Sequence, residues 1–337
     1  MIQNIKVTIA VPIYGVETYM ERCAISLFEQ SYDNIEYVFV NDCTKDNSIS
    51  ILENVINKYP NRKPYVKLIN HEVNRGLGAA RNTAIKNSSG DFIMWVDSDD
   101  FVSPTIVETA VQSQVNFNSD IITINYTNVY DNFSVKQYEN HCSTGFEYCK
   151  GILLGTQSGR IWGRLIRRSL YINNKIQVKE GVNMGEDLQV SVKIFYYAKR
   201  VSFVDEHLYF YNCINDSSYS NCFSPHKLQQ TLESCEIVYN FFQEKKVNMS
   251  YVHQFYLKTA IALLGYYGKN KNLDYYYEAA VSLLTDENMQ YGNTLPYVKR
   301  SLLYIYKHKK LVKFYVLFLN NIRNLLRILS SLRDVKK

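Results

Sequence analysis

The sequence predicts an α/β protein in which a doubly wound, mostly parallel sheet with flanking helices is followed by a C-terminal all-helical region. One observation is the alternation of short apolar segments with amphipathic ones as far as Tyr211, because strands and helices joined by short links form right-handed crossovers. The other is that only helical periodicity remains after Pro225. We therefore expect two domains, residues 1–222 with the sheet and residues 223–337 with the helices.

The central strand is predicted at Phe92–Val96, an apolar run that is too short for a core helix and follows a Gly-Asp turn. Similar segments predict strands at Val7–Ile13, Ile35–Val40, Val66–Ile69 and Ile121–Tyr126, and a strand pair within Val201–Tyr211. Apolar spacing and capping residues predict helices near residues 19–30, 46–56, 104–116, 146–154 and 185–197, and one that starts in the Ala-rich stretch after Gly78. The C-terminal helices are predicted at about residues 226–245, 250–267, 273–285 and 295–330.

Cysteine usage and the N-terminus indicate the compartment. The 337-residue chain contains seven cysteines, an odd number without CxxC pairs, which favours reduced thiols over a disulfide framework. The first residues show neither a charged segment with a long apolar core nor a cleavage site, so no secretion signal is predicted. The six histidines lack metal-ligand spacing, which disfavours a zinc site. We expect a cytoplasmic protein.

The residues from Val298 onward are strongly basic. They contain eleven Lys or Arg residues and one acid, Asp334, whereas the rest of the chain is slightly acidic, a pattern that does not indicate nucleic-acid binding. The longest uncharged run, Phe314–Ile322, is nine residues, whereas a spanning helix needs about 20. Apolar residues at helical spacing beside basic ones favour a peripheral helix on the anionic inner face of a membrane. The alternative is a last helix that packs on the preceding ones.

Three carboxylates directly follow the central strand, at Asp97, Asp99 and Asp100. Open α/β sheets bind their ligands at the carboxyl ends of the strands. In an extended chain Asp97 and Asp99 point the same way, and two adjacent carboxylates are best explained by a hard cation between them. The alternative is a solvated acidic turn that caps the next helix.

The glycines at 76 and 78 give a weaker signal. They follow a predicted strand, and Asp97 lies 19 residues beyond Gly78, as in a dinucleotide-binding fingerprint. Arg81 stands where the third glycine of that fingerprint allows close helix–strand packing, and an arginine suits a diphosphate or a carboxylate neighbour instead. An NAD(P)-binding oxidoreductase with a Rossmann-like fold is therefore the alternative from another functional class.

Several motifs taken together carry a resemblance to a known family. In order they are VPIYG, NDCTKDNS, NRGLGAARN, GDFIMWVDSDD, Trp162-Gly163-Arg164-Leu165, GED and YFYN, between about residues 5 and 220. This series resembles the family 2 glycosyltransferases of the GT-A fold, of the bacterial surface-polysaccharide type. The resemblance implies an inverting transfer of a sugar from a nucleoside diphosphate sugar, usually a UDP-sugar, to a hydroxyl of a saccharide or lipid-linked saccharide acceptor.

The resemblance also implies roles for donor-side residues. Pro12 and Tyr14 match residues that pack near the nucleoside, and Asp42 matches the carboxylate that accepts from the uracil N3–H. Arg81 matches an arginine beside the nucleotide. Asp97 and Asp99 match the DxD carboxylates that hold the ribose and a divalent metal, Mn²⁺ or Mg²⁺. For Asp42 the alternative is a turn residue at a strand end.

On the acceptor side the resemblance implies a general base at Asp187, with Glu186 near the acceptor and Trp162 and Arg164 next to it. A carboxylate base is also what the chemistry requires, since a hydroxyl nucleophile must lose its proton as the C1–O bond of the donor breaks. A single displacement inverts the anomeric centre and needs one base. The alternatives are that Asp187 is an N-cap and that Trp162 is core packing.

Three positions depart from the family pattern. Asn41-Asp42-Cys43-Thr44 replaces DDGS, Arg164 replaces a lysine, and Asn212 stands where an arginine often contacts the diphosphate. A non-catalytic subunit that binds nucleotide sugars is the third functional alternative, and the presence of Asp99 and Asp187 argues against it.

Overall fold

The computed structural model describes residues 5–214, 224–269 and 274–319, which belong to two compact units. Unit 1 comprises Met1–Ile152 and Thr156–Phe241, and unit 2 comprises Leu153–Gly155 and Phe242–Lys337. The domain boundary predicted at 222/223 lies outside the described residues, as does the end of the chain after residue 319.

Nine strands form one sheet over the described part of unit 1. They are β1 (Val7–Ile13), β2 (Ile35–Asn41), β3 (Val66–Asn70), β4 (Phe92–Trp95), β5 (Phe101–Val102), β6 (Ile121–Val129), β7 (Ser134–Gln137), β8 (Arg164–Arg167) and β9 (Val201–Asn212). The order is β3-β2-β1-β4-β8-β6-β9-β5, with β7 beside β6. The half from β3 to β4 is parallel, whereas β8 runs antiparallel between β4 and β6, and β6 pairs with β9 in parallel.

Eight α-helices begin in the described part of unit 1: α1 (Glu17–Phe28), α2 (Ser48–Lys58), α3 (Leu77–Asn87), α4 (Ile106–Phe117), α5 (Gly145–Leu153), α6 (Arg168–Asn173), α7 (Glu186–Tyr197) and α8 (Pro225–Glu244). The described part of unit 2 is helical, with α9 (Ser250–Lys269), α10 (Asp274–Leu283), α11 (Asp286–Met289), α12 (Tyr297–Arg300) and α13 (Leu302–Ile305), and residues 309–319 are helical as well. The predicted α/β fold with a helical C-terminal region is therefore confirmed. Across the described ranges, none of the helices combines the length and apolar character that crossing a membrane requires.

The parallel half of the sheet is the core of unit 1. All seven residues of β1 and all four of β4 are buried, as expected for strands covered by helices on both faces. Pro12 is tolerated in β1 because β4 pairs only with Val7–Ala10, so the missing N–H of the proline costs no bond to that neighbour.

Two predicted elements are wrong in detail. Val201–Asn212 is one long strand and not a strand pair, because its register against β6 shifts twice around Asn125. Such irregularities let polar residues such as Asp205 leave the ladder without ending the strand. The single helix predicted at residues 295–330 begins at Tyr297 and is interrupted in its described part at Ser301 and at residues 306–308.

Candidate active site

The predicted donor-side residues lie at one edge of the parallel half-sheet. Tyr14 follows β1, Asp42 follows β2 and Asp97 lies two residues after β4. Parallel strands bring their carboxyl ends to the same edge, so residues distant in sequence meet there. Pro12 is buried in β1, whereas the Tyr14 side chain is 54% exposed and available to a ligand.

The acidic segment after β4 is a turn and not an extended chain. The main-chain nitrogen of Asp100 donates to the carbonyl oxygen of Asp97 (3.0 Å), which closes the turn. The extended conformation from which Asp97 and Asp99 were expected to point the same way is therefore wrong, since β4 already ends at Trp95. Both carboxylates are partly exposed, whereas Asp100 is fully buried and faces the core.

Arg81 of α3 lies among three carboxylates. Its Nη2 atom is 3.1 Å from Asp187, 3.4 Å from Asp97 and 3.6 Å from Glu186. The guanidinium is 1% exposed and lies over the Trp95 ring at 5.4 Å. We name this group of four residues, Arg81, Asp97, Glu186 and Asp187, the Arg81 centre. The resemblance implied Arg81 at the nucleotide; the structure places it between the donor-side and acceptor-side carboxylates.

The charges of the Arg81 centre are unbalanced, because three carboxylates share one guanidinium. Removal from water raises the pKa of Asp97 to about 7, and the neighbouring Asp187 and Asp99 add to this effect against the opposing Arg81. Burial and Asp187 likewise raise the pKa of Glu186 to about 8. Burial disfavours the charged Arg81, but the carboxylates outweigh it and raise its pKa above the ordinary value. The centre therefore favours an added positive charge or a proton.

Asp187 is not a helix cap. Gly185, in the left-handed region at φ +80°, occupies the N-cap position of α7, and no side chain caps this end. One oxygen of Asp187 accepts weakly from the main-chain nitrogen of Ile161 (3.4 Å). Its Oδ1 atom forms the ion pair with Arg81 but has no hydrogen-bond donor. Oδ1 itself is buried, but the side chain as a whole is 22% exposed, so the carboxylate is able to accept a proton from a ligand.

Asp42 organises the loop that precedes α3. Its carboxylate accepts from the main-chain nitrogens of Arg75 (2.9 Å) and Gly76 (2.7 Å), and it lies 2.7 Å from Nδ1 of His71. Asp42 is buried, and its contacts within the protein are those expected of a turn residue at a strand end. A direct contact with a uracil base would add to these three partners.

Gly76 and Gly78 in the same loop allow another segment of the protein to approach the main chain closely. A Cβ atom on Gly76 would lie 2.2 Å from the Asn183 side chain, and one on Gly78 would lie 2.7 Å from Val178. The main-chain nitrogen of Gly78 also donates to Asn183 (3.1 Å). The segment just before Asp187 thus occupies the space that a pyrophosphate would take in a dinucleotide-binding fingerprint. The oxidoreductase alternative loses its structural basis.

Two predicted acceptor-side residues, Trp162 just before β8 and Arg164 within it, are enclosed by the protein. Trp162 is 9% exposed and stacks on Tyr209 (4.7 Å between ring centroids) and Tyr211 (5.0 Å), so the core-packing alternative describes most of its surface. Arg164 is completely buried and donates to the carbonyl oxygen of Ser158 (3.0 Å). Any direct contact of Arg164 with an acceptor would require it to leave these partners.

Sequence reasoning missed a second buried charged group beneath Trp162. Glu139 pairs with Arg160 (2.9 Å) and lies 3.7 Å from Arg164. Arg160 also packs on the Trp162 ring at 4.6 Å. Glu139 lies in a polar stretch after β7, where no spacing or periodicity distinguishes it from a surface residue. Sequence reasoning also left Asp100 without a role, although its position beside Asp97 and Asp99 was a signal.

The residues fit a divalent cation that is shared with a ligand. Within the ranges that the structure describes, no three His, Cys, Asp or Glu side chains form a complete metal site. Mg²⁺ is usually held by one or two carboxylates and completed by substrate phosphates and water. Asp97 and Asp99 provide such a pair at the surface, and Oδ1 of Asp97 lacks a hydrogen-bond donor.

Comparisons with known proteins give a consistent family. The model of Glycosyl transferase family 2 matches residues 8–179. Glycosyltransferase GlyA of Streptococcus pneumoniae is 31% identical over 231 residues, which cover 63% of this chain and 31% of GlyA. The chain therefore matches less than a third of the length of that relative.

Solved structures share the fold. The structure of Staphylococcus aureus TarS 1–349 in complex with UDP-GlcNAc superposes with a TM-score of 0.71 at 20% identity, covering 95% of this chain and 92% of that one. Mannosyltransferase PcManGT of Pyrobaculum calidifontis, in complex with GDP-Man and Mn²⁺, gives a TM-score of 0.51 at 13% identity and covers 93% of this chain and 85% of its own. The GT-A fold implied by the motifs is confirmed. Since the family model extends from β1 through the Asp97–Asp100 turn to the segment before α7, the chain belongs to glycosyl transferase family 2.

Proposed function

We propose that the protein is an inverting, metal-dependent glycosyltransferase. It moves a sugar from a nucleoside diphosphate sugar, a UDP-sugar, to a hydroxyl of a saccharide or lipid-linked saccharide acceptor in surface-polysaccharide biosynthesis. The observation that carries the proposal is the Arg81 centre, in which Asp97 and Asp187 lie within 3.4 Å of one guanidinium. Family membership and the UDP-GlcNAc complex of TarS support this donor class.

Asp187 is the general base of the proposed reaction. The acceptor hydroxyl donates a hydrogen bond to the carboxylate of Asp187, whose side chain is 22% exposed. As the acceptor oxygen attacks C1 of the sugar, its proton passes to Asp187 and the electron pair of the C1–O bond leaves with the nucleoside diphosphate. Attack and departure occur on opposite faces, so the anomeric centre inverts. Arg81 keeps Asp187 oriented, because its cation lies 3.1 Å from the carboxylate.

Donor binding uses the edge of the parallel half-sheet. Tyr14 and Pro12 pack near the nucleoside, Asp42 faces the base, and Asp97 holds the ribose. Asp99 contributes to holding a divalent cation, Mn²⁺ or Mg²⁺, which when bound neutralises charge on the diphosphate leaving group. The Mn²⁺ complex of PcManGT supports this cation class. Glu186 faces the acceptor, and Trp162 and Arg164 shape that side of the site from within the core.

The proposal is tested with a panel of nucleotide sugars and the Asp187→Asn variant. Wild-type protein is expected to hydrolyse or transfer from a UDP-sugar in the presence of Mn²⁺. Asp187→Asn keeps the shape of the side chain but cannot take the proton, so turnover should fall by ~10²-fold or more at unchanged UDP affinity. Asp205→Asn, on the exposed part of β9, is the matched control and should keep the wild-type rate. Wild-type turnover in Asp187→Asn, or UDP binding without any turnover, would favour the non-catalytic alternative.

We also propose that the helical segment at residues 309–319 contacts an anionic membrane surface, which would place the enzyme at the inner face of the membrane. Val312 and Val316 are buried within unit 2, whereas Leu311, Phe314 and Phe318 are exposed, the second of them by 71%. Exposed lysines flank this apolar face, at positions 307 and 310. An apolar face with basic neighbours suits a surface of anionic lipids, which attracts each nearby basic residue by about 1 kcal/mol.

Sedimentation with vesicles tests the membrane contact. A triple variant with Leu311→Ser, Phe314→Ser and Phe318→Ser changes only exposed side chains, so unit 2 should remain folded. Wild-type protein should sediment with phosphatidylserine-containing vesicles at low salt and less with neutral ones, and the triple variant should sediment with neither. Phe117→Ser, an exposed phenylalanine of α4, is the control. Equal binding of wild type and triple variant would contradict the proposal.

A further inference from the structure

The turn that carries Asp97 and Asp99 is tied to β9 at both of its ends. The main-chain nitrogen of Asp97 donates to the Tyr209 hydroxyl (3.2 Å), and this hydroxyl donates to Oδ2 of Asp100 (2.6 Å). The other oxygen of Asp100 accepts from the main-chain nitrogen of Asn212 (2.7 Å). One carboxylate and one phenol therefore connect both ends of the turn to the end of a single strand.

Neither of these two side chains is accessible to a ligand. Asp100 and Tyr209 are both 0% exposed. The Tyr209 ring is stacked on Trp162, and β9 is paired with β6 along most of its length and with β5 on its other side. The hydroxyl of Tyr209 is thus held by a rigid part of the sheet, and the turn takes its position from that hydroxyl.

The turn needs such an anchor because its own side chains oppose its geometry. Asp97, Asp99 and Asp100 bring three carboxyl groups together within four residues, and repulsion between their ionised forms disfavours a compact arrangement when no cation is bound. A ligand-binding group must be held close to its productive geometry by supporting contacts, and a displacement of about 1 Å can strongly weaken its action.

We propose that Tyr209 and Asp100 are positioning residues for the donor: they hold the main chain of the Asp97–Asp99 turn where its carboxylates receive the ribose and the cation of the diphosphate. Neither residue touches donor or acceptor. The inference rests on the proposed function and assigns part of its donor specificity to a contact between β9 and the turn after β4.

The Tyr209→Phe variant tests this directly, because it keeps the stacked ring and removes only the hydroxyl. Binding of UDP is measured by calorimetry with Mn²⁺ and with EDTA. Tyr209→Phe should weaken UDP binding in Mn²⁺ by about 10-fold, which corresponds to about 1.4 kcal/mol, and should weaken binding in EDTA less, because only the ribose contact of Asp97 then depends on the turn. Tyr148→Phe is the matched control: it removes another fully buried hydroxyl that donates to a carboxylate, Oε2 of Glu139 at 2.5 Å, far from the turn in sequence.

Both phenylalanine variants should lose similar stability, so an effect of stability alone would appear in both. If Tyr209→Phe does not fold, the double variant Tyr209→Phe with Asp100→Asn removes the charge that the single variant leaves without its donor, and it should show the same loss. Mn²⁺-dependent affinity that is equal in Tyr209→Phe, Tyr148→Phe and wild type overturns the inference alone. If wild-type protein shows no Mn²⁺-dependent UDP binding, the proposed function fails and the inference fails with it.

Discussion

Unit 1 contains two buried arginine centres with opposite charge balance. In the Arg81 centre three carboxylates share one guanidinium, at distances of 3.1 to 3.6 Å. In the second, which we name the Glu139 centre, one carboxylate serves two guanidinium groups, Arg160 and Arg164. The first has an excess of negative charge and the second an excess of positive charge.

The two centres also differ in how completely their polar atoms are used. Nε and Nη1 of Arg81 have no hydrogen-bond acceptor, and neither Asp97 nor Asp187 has a donor for its Oδ1 atom. In the Glu139 centre Nε of Arg164 also lacks an acceptor, but Arg160 donates to Glu139 and to the carbonyl oxygens of Ile124, Trp162 and Gly163. Buried polar groups without partners are costly and are frequent at functional sites, whereas a largely satisfied network specifies a core. We therefore connect the Arg81 centre with function and the Glu139 centre with stability.

Two glutamates show the same contrast in their proton affinity. Burial alone would raise the pKa of Glu139, but Arg164 and Arg160 outweigh it and hold this pKa below its ordinary value. At Glu186 burial and the neighbouring Asp187 prevail over Arg81, and the pKa rises to about 8. The sign of the nearest excess charge decides the outcome.

The largest effect is expected from breaking the Glu139 centre. Glu139→Ala leaves two buried guanidinium groups without their counter-charge, so the free energy of unfolding should fall by about 3–5 kcal/mol. Urea unfolding measures this change, with Glu206→Ala on the exposed part of β9 as the control. A loss below about 1 kcal/mol would mean that the carbonyl oxygens, and not Glu139, stabilise the arginines.

A substitution beside the Arg81 centre should affect UDP binding and not folding. Asp99→Ala removes a partly exposed carboxylate beside this centre, so Mn²⁺-stimulated UDP binding should fall by about 10-fold or more, the range seen when a metal site is disturbed. The free energy of unfolding should stay within about 0.5 kcal/mol of wild type, as for a surface substitution. Calorimetry and urea unfolding check the two parts. Unchanged Mn²⁺-dependent UDP affinity would exclude Asp99 as a metal ligand.

The third expected effect concerns pH. Because the folded-state pKa of Glu186 is about 8 and its ordinary value is 4.5, the folded protein retains a proton that the unfolded chain releases between these values. The contribution of Glu186 to the free energy of unfolding therefore decreases as the pH rises from about 4.5 to about 8. The contribution of Glu139 has the opposite sign and is lost only as the pH falls below its ordinary value of 4.5.

Urea midpoints measured in EDTA between pH 6 and pH 8.5 separate the two glutamates. Wild-type protein should become less stable across this range, and Glu186→Gln should show a shallower decline. Asp97 and Asp100, whose pKa values are also raised, contribute to the remaining slope. An equal slope in wild type and Glu186→Gln would show that Glu186 is not protonated in the folded protein.

The parallel half of the sheet was predictable because its signal is local. Strands β1, β2 and β4 are apolar runs bounded by polar or turn-forming residues. Their nearly continuous apolar composition indicates burial on both faces. The second half was less predictable. The continuity of β9 depends on its pairing with β6. A register shift between the two strands does not change the apolar periodicity of the β9 sequence, so it cannot be predicted from that sequence.

The candidate site divides in the same way. The motifs singled out Asp97, Asp99 and Asp187 as carboxylates at the ends of strands or at the start of a helix, and these roles stay predictions. Arg81 was singled out too, but its three partners come from two distant segments, so only the folded chain shows that it joins them. The glycines at 76 and 78 were a weak dinucleotide-binding signal by pattern, whereas in the structure the space that a Cβ atom would need at each is taken by Asn183 or Val178.

The sequence by itself determined the fold class, the order of the elements in the parallel half and the edge at which acidic groups collect, because each follows from local composition and from the way parallel strands end. Tertiary structure decided which charges are balanced. Glu139 and Glu186 are the same residue type, and only their neighbours in space, two arginines for one and a second carboxylate for the other, set their pKa values in opposite directions. Electrostatic energy depends on distance and burial, and neither quantity exists until the chain has folded.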